Sequence, residues 1–212
     1  MDDLLEQARP FPAATLLEAS ARKGALPSGI KPVWPGARIV GRALTVQSPP
    51  CDNLWLHRAI YAARPGEVLV VHTGDYYEAG YWGEIMACAA QQRGIAGLVI
   101  DACVRDRDML EDFGFPVFAR GLCIRGTGKD VQARGSIAAP VTIGGVTVHT
   151  GDLVVADADG VMVLQADEVA ETLTRAQARE DKEAGILEQL RQGASTLDLY
   201  NFPPGDITRD PR

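Results

Sequence analysis

The chain predicts an α/β fold, and three observations predict it. Two short apolar runs, residues 68–71 and 97–101, flank a stretch with helical spacing. The middle of the chain reads strand, helix, strand, helix, strand, an order that favours parallel pairing with helical crossovers. Short β-branched runs punctuated by glycine follow, and a long charged stretch with helical character precedes the tail.

Each element has its own signal. Residues 13–23 carry Leu16, Leu17 and Ala21 at helical spacing, and Gly24 stops them. Residues 27–35 are a loop rich in Pro and Gly, and 38–47 alternate as a strand with Ile39, Val40, Leu44 and Val46. Asp52-Asn53 is a cap for a helix carrying Leu54, His57, Ala59, Ile60 and Tyr61. Pro65-Gly66 turns the chain into the buried strand 68–71, and the loop 72–79 leads to a helix over about 83–93. Gly94 closes that helix as a left-handed residue. The strand 97–101, a short helix at 105–112 and a short strand at 115–118 complete the alternation.

Beyond Gly126 the pattern changes. Residues 141–143, 146–148, 152–155 and 161–164 read as short strands, with Gly144-Gly145, Gly151 and Asp159-Gly160 as hairpin-like turns. Residues 167–192 form one charged helix ended by Gly193. The tail from Ser195 has little periodicity, and a neighbouring subunit is one candidate to cover its Leu197, Leu199, Tyr200 and Phe202.

Composition narrows the function classes. With 212 residues and 46% hydrophobic content the chain can bury a full core, and one domain is the default. A net charge of -7 argues against wrapping a nucleic acid backbone. No apolar run reaches the length that crosses a bilayer, and the acidic start at Met1-Asp2-Asp3 lacks the order of a secretory signal, so a cytoplasmic protein is expected. Cys51, Cys88, Cys103 and Cys123 are scattered without a CxxC pair, and each is expected as a small buried apolar residue.

Two short motifs concentrate the chemistry. Gly83-Glu84-Ile85 sits where a helix begins, so its first N–H groups lack intrahelical acceptors and can meet a carboxylate. Glu84 also complements the helix dipole, which is a purely structural use of it. Arg105-Asp106 follows the strand that ends at Asp101, at a strand's carboxyl end, where open α/β sheets bind ligands. An Arg there can grip a carboxylate bidentately, and an Asp can offer an oxygen to Mg²⁺ or Mn²⁺. The competing reading makes Arg105, Asp106, Arg107 and Asp108 a solvated helix start.

Asn53 and His57 lie four apart on one helix face; the first serves equally as a cap, the second as a proton shuttle or a structural histidine. His72 and His149 show no partner pattern, and no serine lies in a nucleophile elbow. Lys129 and Lys182 stay open as Schiff-base lysines. Glu180 and Glu183 share a face of the long helix, where a solvated charged surface is the plain alternative.

Taken together, Gly83-Glu84-Ile85 through Arg93-Gly94-Ile95-Ala96-Gly97-Leu98-Val99-Ile100-Asp101, then Val104-Arg105-Asp106, Gly114-Phe115-Pro116-Val117-Phe118-Ala119-Arg120 and the run from Gly151 to Val161 resemble the RraA-like superfamily. Within it the chain is most similar to the 4-hydroxy-4-methyl-2-oxoglutarate / 4-carboxy-4-hydroxy-2-oxoadipate aldolases, over roughly residues 38–200. The resemblance implies a layered β/β/α, swivelling-domain-like catalytic domain over 1–192 with a long C-terminal helix, and a tail, 193–212, that packs on a neighbour. It implies a class II pyruvate aldolase using Mg²⁺ or Mn²⁺, assembled as a homotrimer or homohexamer, with oxaloacetate decarboxylation as a side reaction.

By position, the resemblance implies Asp106 as the direct metal ligand and Arg105 as the grip on the pyruvyl oxygens, with Gly83, Ile85 and Met86 at the substrate-binding helix start. Glu84 orders metal waters, Asn53 and His57 line the pocket, and Glu183, or Glu180, enters from an adjacent subunit. Two departures stand out: Ala102-Cys103, where the superfamily frequently has Gly after the Asp, and the end from Asn201 to Arg212. Decarboxylation of oxaloacetate as the main reaction, and a non-catalytic ribonuclease regulator, are the two alternatives.

Overall fold

Alternating side chains decide how the central strands are buried. Leu69, Val71, Leu98 and Ile100 enter one hydrophobic cluster, while Val68, Val70 and Val99 enter another on the opposite face. A strand buried on both faces reads as a continuous apolar run, which is why 68–71 and 97–100 were legible as strands. The computed structural model describes residues 3–203 and 205. The predicted start at Met1-Asp2 and tail residues 204 and 206–212 lie outside the described residues.

In chain order, α1 (Asp3–Ala8) and α2 (Ala13–Ala19) precede β1 (Lys31–Pro32) and β2 (Ile39–Gln47). Then come α3 (Leu54–Ala62), β3 (Glu67–His72), α4 (Glu84–Gln92), β4 (Gly97–Ile100), β5 (Cys103–Val104), α5 (Arg107–Asp112), β6 (Val117–Ala119) and β7 (Gly121–Leu122). β8 (Ser136–Ile137), β9 (Val141–Ile143), β10 (Val146–Val148), β11 (Leu153–Asp157) and β12 (Gly160–Leu164) lead to α6 (Val169–Arg191) and α7 (Thr196–Leu199).

The main sheet has the order β1-β6-β4-β3-β2-β11-β12, with β8 pairing β2. Its heart, β2, β3, β4 and β6, is parallel, with register Leu44↔Leu69, Leu69↔Leu98 and Leu98↔Val117. Three layers result. Helices α3, α4 and α5 cover one face through Leu56, Ile60, Met86, Ala87, Ala90 and Leu110. The β9–β10 hairpin covers the other through Val141, Ile143 and Val148. α1, α2 and α6 close a third cluster over Val40, Leu153, Val155, Met162 and Leu164. The molecule is thus a single mixed α/β domain of β/β/α layering with a C-terminal helix. Among the described residues, no helix is long and apolar enough to cross a membrane.

Several sequence expectations are corrected. Helix α5 starts at Arg107 rather than Arg105, because Asp106 has φ +60, which an α-helix cannot contain. Asp52, not Asn53, supplies the cap oxygen of α3: its Oδ1 accepts the Leu54 N–H at 2.9 Å, and Asn53 makes no cap bond. Gly144-Gly145 does form the β9–β10 turn, with φ +55 and +85, the left-handed pair a tight hairpin needs. Gly151 closes no hairpin, since β10 pairs with β9 while β11 leaves for the main sheet. None of the four cysteines is core: Cys51 is exposed and the other three half-buried. The tail contains a short helix, α7, that its weak periodicity did not announce.

Helix α6 explains its own charge. Its buried residues, Val169, Thr172, Leu173 and Ala176, all lie in its first turns. From Gln177 onward no residue is buried, so an apolar face was not required there.

Candidate active site

The site grows from the crossing of two chain segments at the carboxyl ends of the parallel strands. The first leads from β3 into α4, whose N-cap is Gly83. The second leaves β4 at Asp101, passes through β5 and reaches Asp106. Backbone bonds bind them together: Tyr81 N–H donates to Cys103 O at 3.0 Å and Arg105 N–H to Trp82 O at 2.9 Å. Trp82 is fully buried and stacks on Phe115 at 5.9 Å, which fixes the floor beneath both segments.

Asp106 is held in a strained backbone conformation that non-glycine residues seldom adopt. The strain turns its carboxylate towards α4, where Oδ2 accepts the Glu84 N–H at 3.0 Å. One helix-start amide is thereby occupied, while those of Ile85 and Met86 have no intrahelical acceptor. Gly83 is needed for a reason the sequence did not reveal. Its φ of -160 is ordinary extended backbone. A Cβ there, however, would run into Asp106 Oδ2 and come within 3.2 Å of Arg105 Cγ.

Arg105 lies beside this carboxylate, its Nε 3.7 Å from Asp106 Oδ2, beyond hydrogen-bond length. Among the described residues nothing engages its terminal nitrogens, and the side chain is about half exposed, 47%. Arg107 differs: it donates to Val33 O at 3.1 Å and pairs with Asp108 and Glu111 at 3.0 and 3.1 Å. The charge run therefore divides. Arg107 and Asp108 are the solvated helix start, and Arg105 and Asp106 face a cleft.

The cleft, of about 220 Å³, brings together Asn53, His57, Gly83, Glu84, Ile85, Met86, Arg105 and Asp106. Tyr81, Trp82 and Lys129 join them. By sequence Lys129 is a candidate only for Schiff-base chemistry; its placement in the cleft depends on the 124–135 loop docking on α3. There Asn53 N–H donates to Gly128 O at 3.2 Å and Asp130 N–H to Asp52 Oδ2 at 2.5 Å. Its one signal in the sequence is the Gly126-Thr127-Gly128-Lys129 run. Asn53 is buried and donates to Tyr81 O at 2.9 Å, while its Oδ1 has no partner among the described residues. An unmet buried acceptor at a cleft is a place for a ligand hydroxyl or a water.

Burial, and then the nearby Lys129 ammonium, lower the pKa of His57 below its usual 6.5. His57 is consequently neutral at pH 7 and able to accept a proton. The unfolded chain then takes up the proton more readily than the folded one as pH falls through 6.5. Stability should decline from that point down to the lowered folded value and change no further for this group. Denaturant titrations at pH 7.5 and pH 5.5 check this, and His57→Gln should lose part of the difference.

Glu180 and Glu183 do not line this cleft. Glu180 accepts from Thr15 Oγ1 at 2.9 Å, and Glu183 pairs with Arg179 at 2.7 Å. A larger groove, of about 680 Å³, does include Glu180, between α1 and α6. It is lined by no cation and no histidine, so it lacks groups to polarise or deprotonate a substrate.

Fold and cleft together define a class: a layered α/β protein with a small polar cleft where the parallel strands end. The chain belongs to the RraA-like family, Aldolase/RraA, whose profile matches residues 5–163. It is 35% identical over 183 residues to a protein of Halalkalibacterium halodurans named "Putative 4-hydroxy-4-methyl-2-oxoglutarate aldolase", covering 86% of each chain. An uncharacterized protein from Pseudomonas syringae has a crystal structure that superposes with a TM-score of 0.82 at 32% identity, covering 92% of this chain and 91% of that one. The RNA-processing inhibitor RraA from Thermus thermophilis superposes with a TM-score of 0.66 at 27% identity, over 73% of this chain and 92% of that one.

Proposed function

We propose that the chain is a divalent-cation-dependent pyruvate aldolase that cleaves a 4-hydroxy-2-oxo diacid to pyruvate and a second oxo acid. The observation that carries the reading is the Gly83–Asp106 contact: a position without a side chain, kept open for a carboxylate held in a strained conformation. The donor set suits Mg²⁺ or Mn²⁺, since Asp106 offers hard oxygen at a cleft whose remaining room water can fill. Asp106 would hold the cation directly and Glu84 through water. The cation supplies Lewis-acid stabilisation of negative charge on the oxo-acid oxygens.

The protein's own groups carry the rest. Arg105 grips the substrate carboxylate with its planar fork, and the Ile85 and Met86 amides receive further oxygen charge. Glu84, acting through an ordered water, takes the proton from the C4 hydroxyl. The C3–C4 bond breaks, its electron pair moves into the pyruvate enolate, and the C4 carbonyl forms on the departing oxo acid. Water returns a proton to C3. Lys129, with neutral His57 beside it, suits the far carboxylate of a diacid.

Assembly into a trimer or hexamer belongs to this reading. Ile85 in the cleft, and Leu122 and Ile124 in the pocket that adjoins it at Arg105 and Asp106, are 80%, 55% and 94% exposed, an apolar edge that a neighbour would cover. The unburied half of α6 would bring Glu183, or Glu180, to the adjoining subunit's cleft.

Chelator-stripped protein assayed for pyruvate with added Mg²⁺ or Mn²⁺ tests the reading. Faster release from 4-carboxy-4-hydroxy-2-oxoadipate than from oxaloacetate supports the aldolase. Release from oxaloacetate alone makes it a decarboxylase, and release from neither, with tight ribonuclease binding, makes it a regulator. Arg105→Lys keeps the charge but loses the fork, and should lower kcat/KM by about 10-fold or more.

A further inference from the structure

A second cluster at the same edge of the sheet has no part in the reaction above. His72 ends β3, Asp101 follows β4, and Asp75 lies on the loop between β3 and α4. One imidazole nitrogen and two carboxylate oxygens from these residues lie within 4.8 Å of one another. The sequence showed no partner for His72, because its neighbours come from separate strands.

The tautomer of the neutral ring follows from its hydrogen bonds. Gln47 Nε2 donates to Ser48 O at 3.1 Å and to His72 O at 3.3 Å, which fixes the orientation of the amide. The atom 3.0 Å from His72 Nδ1 is therefore Gln47 Oε1, an acceptor, so Nδ1 carries a proton. In a neutral ring Nε2 then presents a lone pair, and it faces Asp75 Oδ1 at 3.3 Å. A shared cation, a proton or a metal ion, relieves the repulsion between these two acceptors.

The charges point the same way. Arg120 Nε donates to Asp101 Oδ1 at 2.5 Å, and its guanidinium lies 4.3 Å from the Tyr77 ring centroid. One guanidinium against the two carboxylates leaves one negative charge unmatched. Asp101 is 1% exposed, and no hydrogen bond among the described residues reaches its other oxygen. A ring whose far nitrogen donates to a carbonyl is also the arrangement that orients histidine as a metal ligand.

We propose that His72 Nε2, Asp75 and Asp101 form a second cation site, taking a borderline divalent transition metal such as Zn²⁺, with water completing the shell. An imidazole with two carboxylates suits such ions better than Mg²⁺. The bound ion would tie the 73–80 loop, which leads to Gly83, to the end of the sheet. The inference shares no residue with the proposed aldolase chemistry and does not rest on it.

Co²⁺ added to the chelator-stripped full chain is the probe. Equilibrium dialysis should find about two Co²⁺ per chain, falling to about one in His72→Gln and, independently, in Asp106→Ala. Proton NMR should show a strongly shifted exchangeable imidazole N–H in the parent and in Asp106→Ala, absent from His72→Gln. Asp75→Asn, at an exposed position that tolerates substitution, should weaken this site about 10-fold or more. A parent without the shifted N–H, or one that keeps it in His72→Gln, overturns the proposal. So does a His72 ring protonated on both nitrogens and unchanged by Co²⁺. Failure of the aldolase reading would appear separately, as absent pyruvate release from the parent.

Discussion

Asp106→Ala is expected to lower cation-dependent pyruvate release by at least about 10²-fold, because the lost carboxylate is the proposed direct hold on the cation. The loss should fall on kcat/KM at every Mg²⁺ or Mn²⁺ concentration, since Glu84 is proposed to reach the cation only through water. The fold should survive. The Asp106 side chain is 38% exposed, and its carboxylate accepts from the Glu84 amide, which water can satisfy at a helix start. Relief of the left-handed strain at residue 106 does not follow, as alanine tolerates φ +60 less well than aspartate. Circular dichroism and a melting curve would register folding separately from turnover. Undiminished pyruvate release from a folded Asp106→Ala protein would sink the assignment.

Gly83→Ala should be nearly as damaging, although it removes no functional group. The new methyl would occupy the space of Asp106 Oδ2 and press on Arg105 Cγ, so both groups must move. A displacement of about 1 Å at a reacting centre costs about 10² in rate. Backbone conformation is no obstacle, since φ at residue 83 is extended, so the effect isolates the steric contact. Steady-state kinetics on the folded variant provide the test. Activity within about 2-fold of the parent would mean that the Gly83–Asp106 contact does not position the site.

Much of the scaffold was legible because its signals are local. The runs at 68–71 and 97–100 are apolar on both faces, and Gly94, at φ +72, ends α4 as its position required. Arg105 and Asp106 stood out by following a buried strand. Their separation from Arg107 and Asp108 did not, because a charge run looks the same whether it turns to solvent or into a cleft. The cysteines misled for a related reason: Cys103 and Cys123 lie on or beside the short, half-buried β5–β7 pair, which no periodicity marks.

Residue pattern by itself determined the α/β class, the parallel core, the long C-terminal helix and the two short motifs at strand and helix ends. Those features depend on side-chain alternation and on turn and cap chemistry within a few residues. Tertiary structure alone decided that Gly83 makes room for Asp106, that the 124–135 loop brings Lys129 to His57, and that His72 meets Asp75 and Asp101. Each joins groups distant in sequence or turned towards one another by a loop, and the register of the parallel strands places them within a few ångströms.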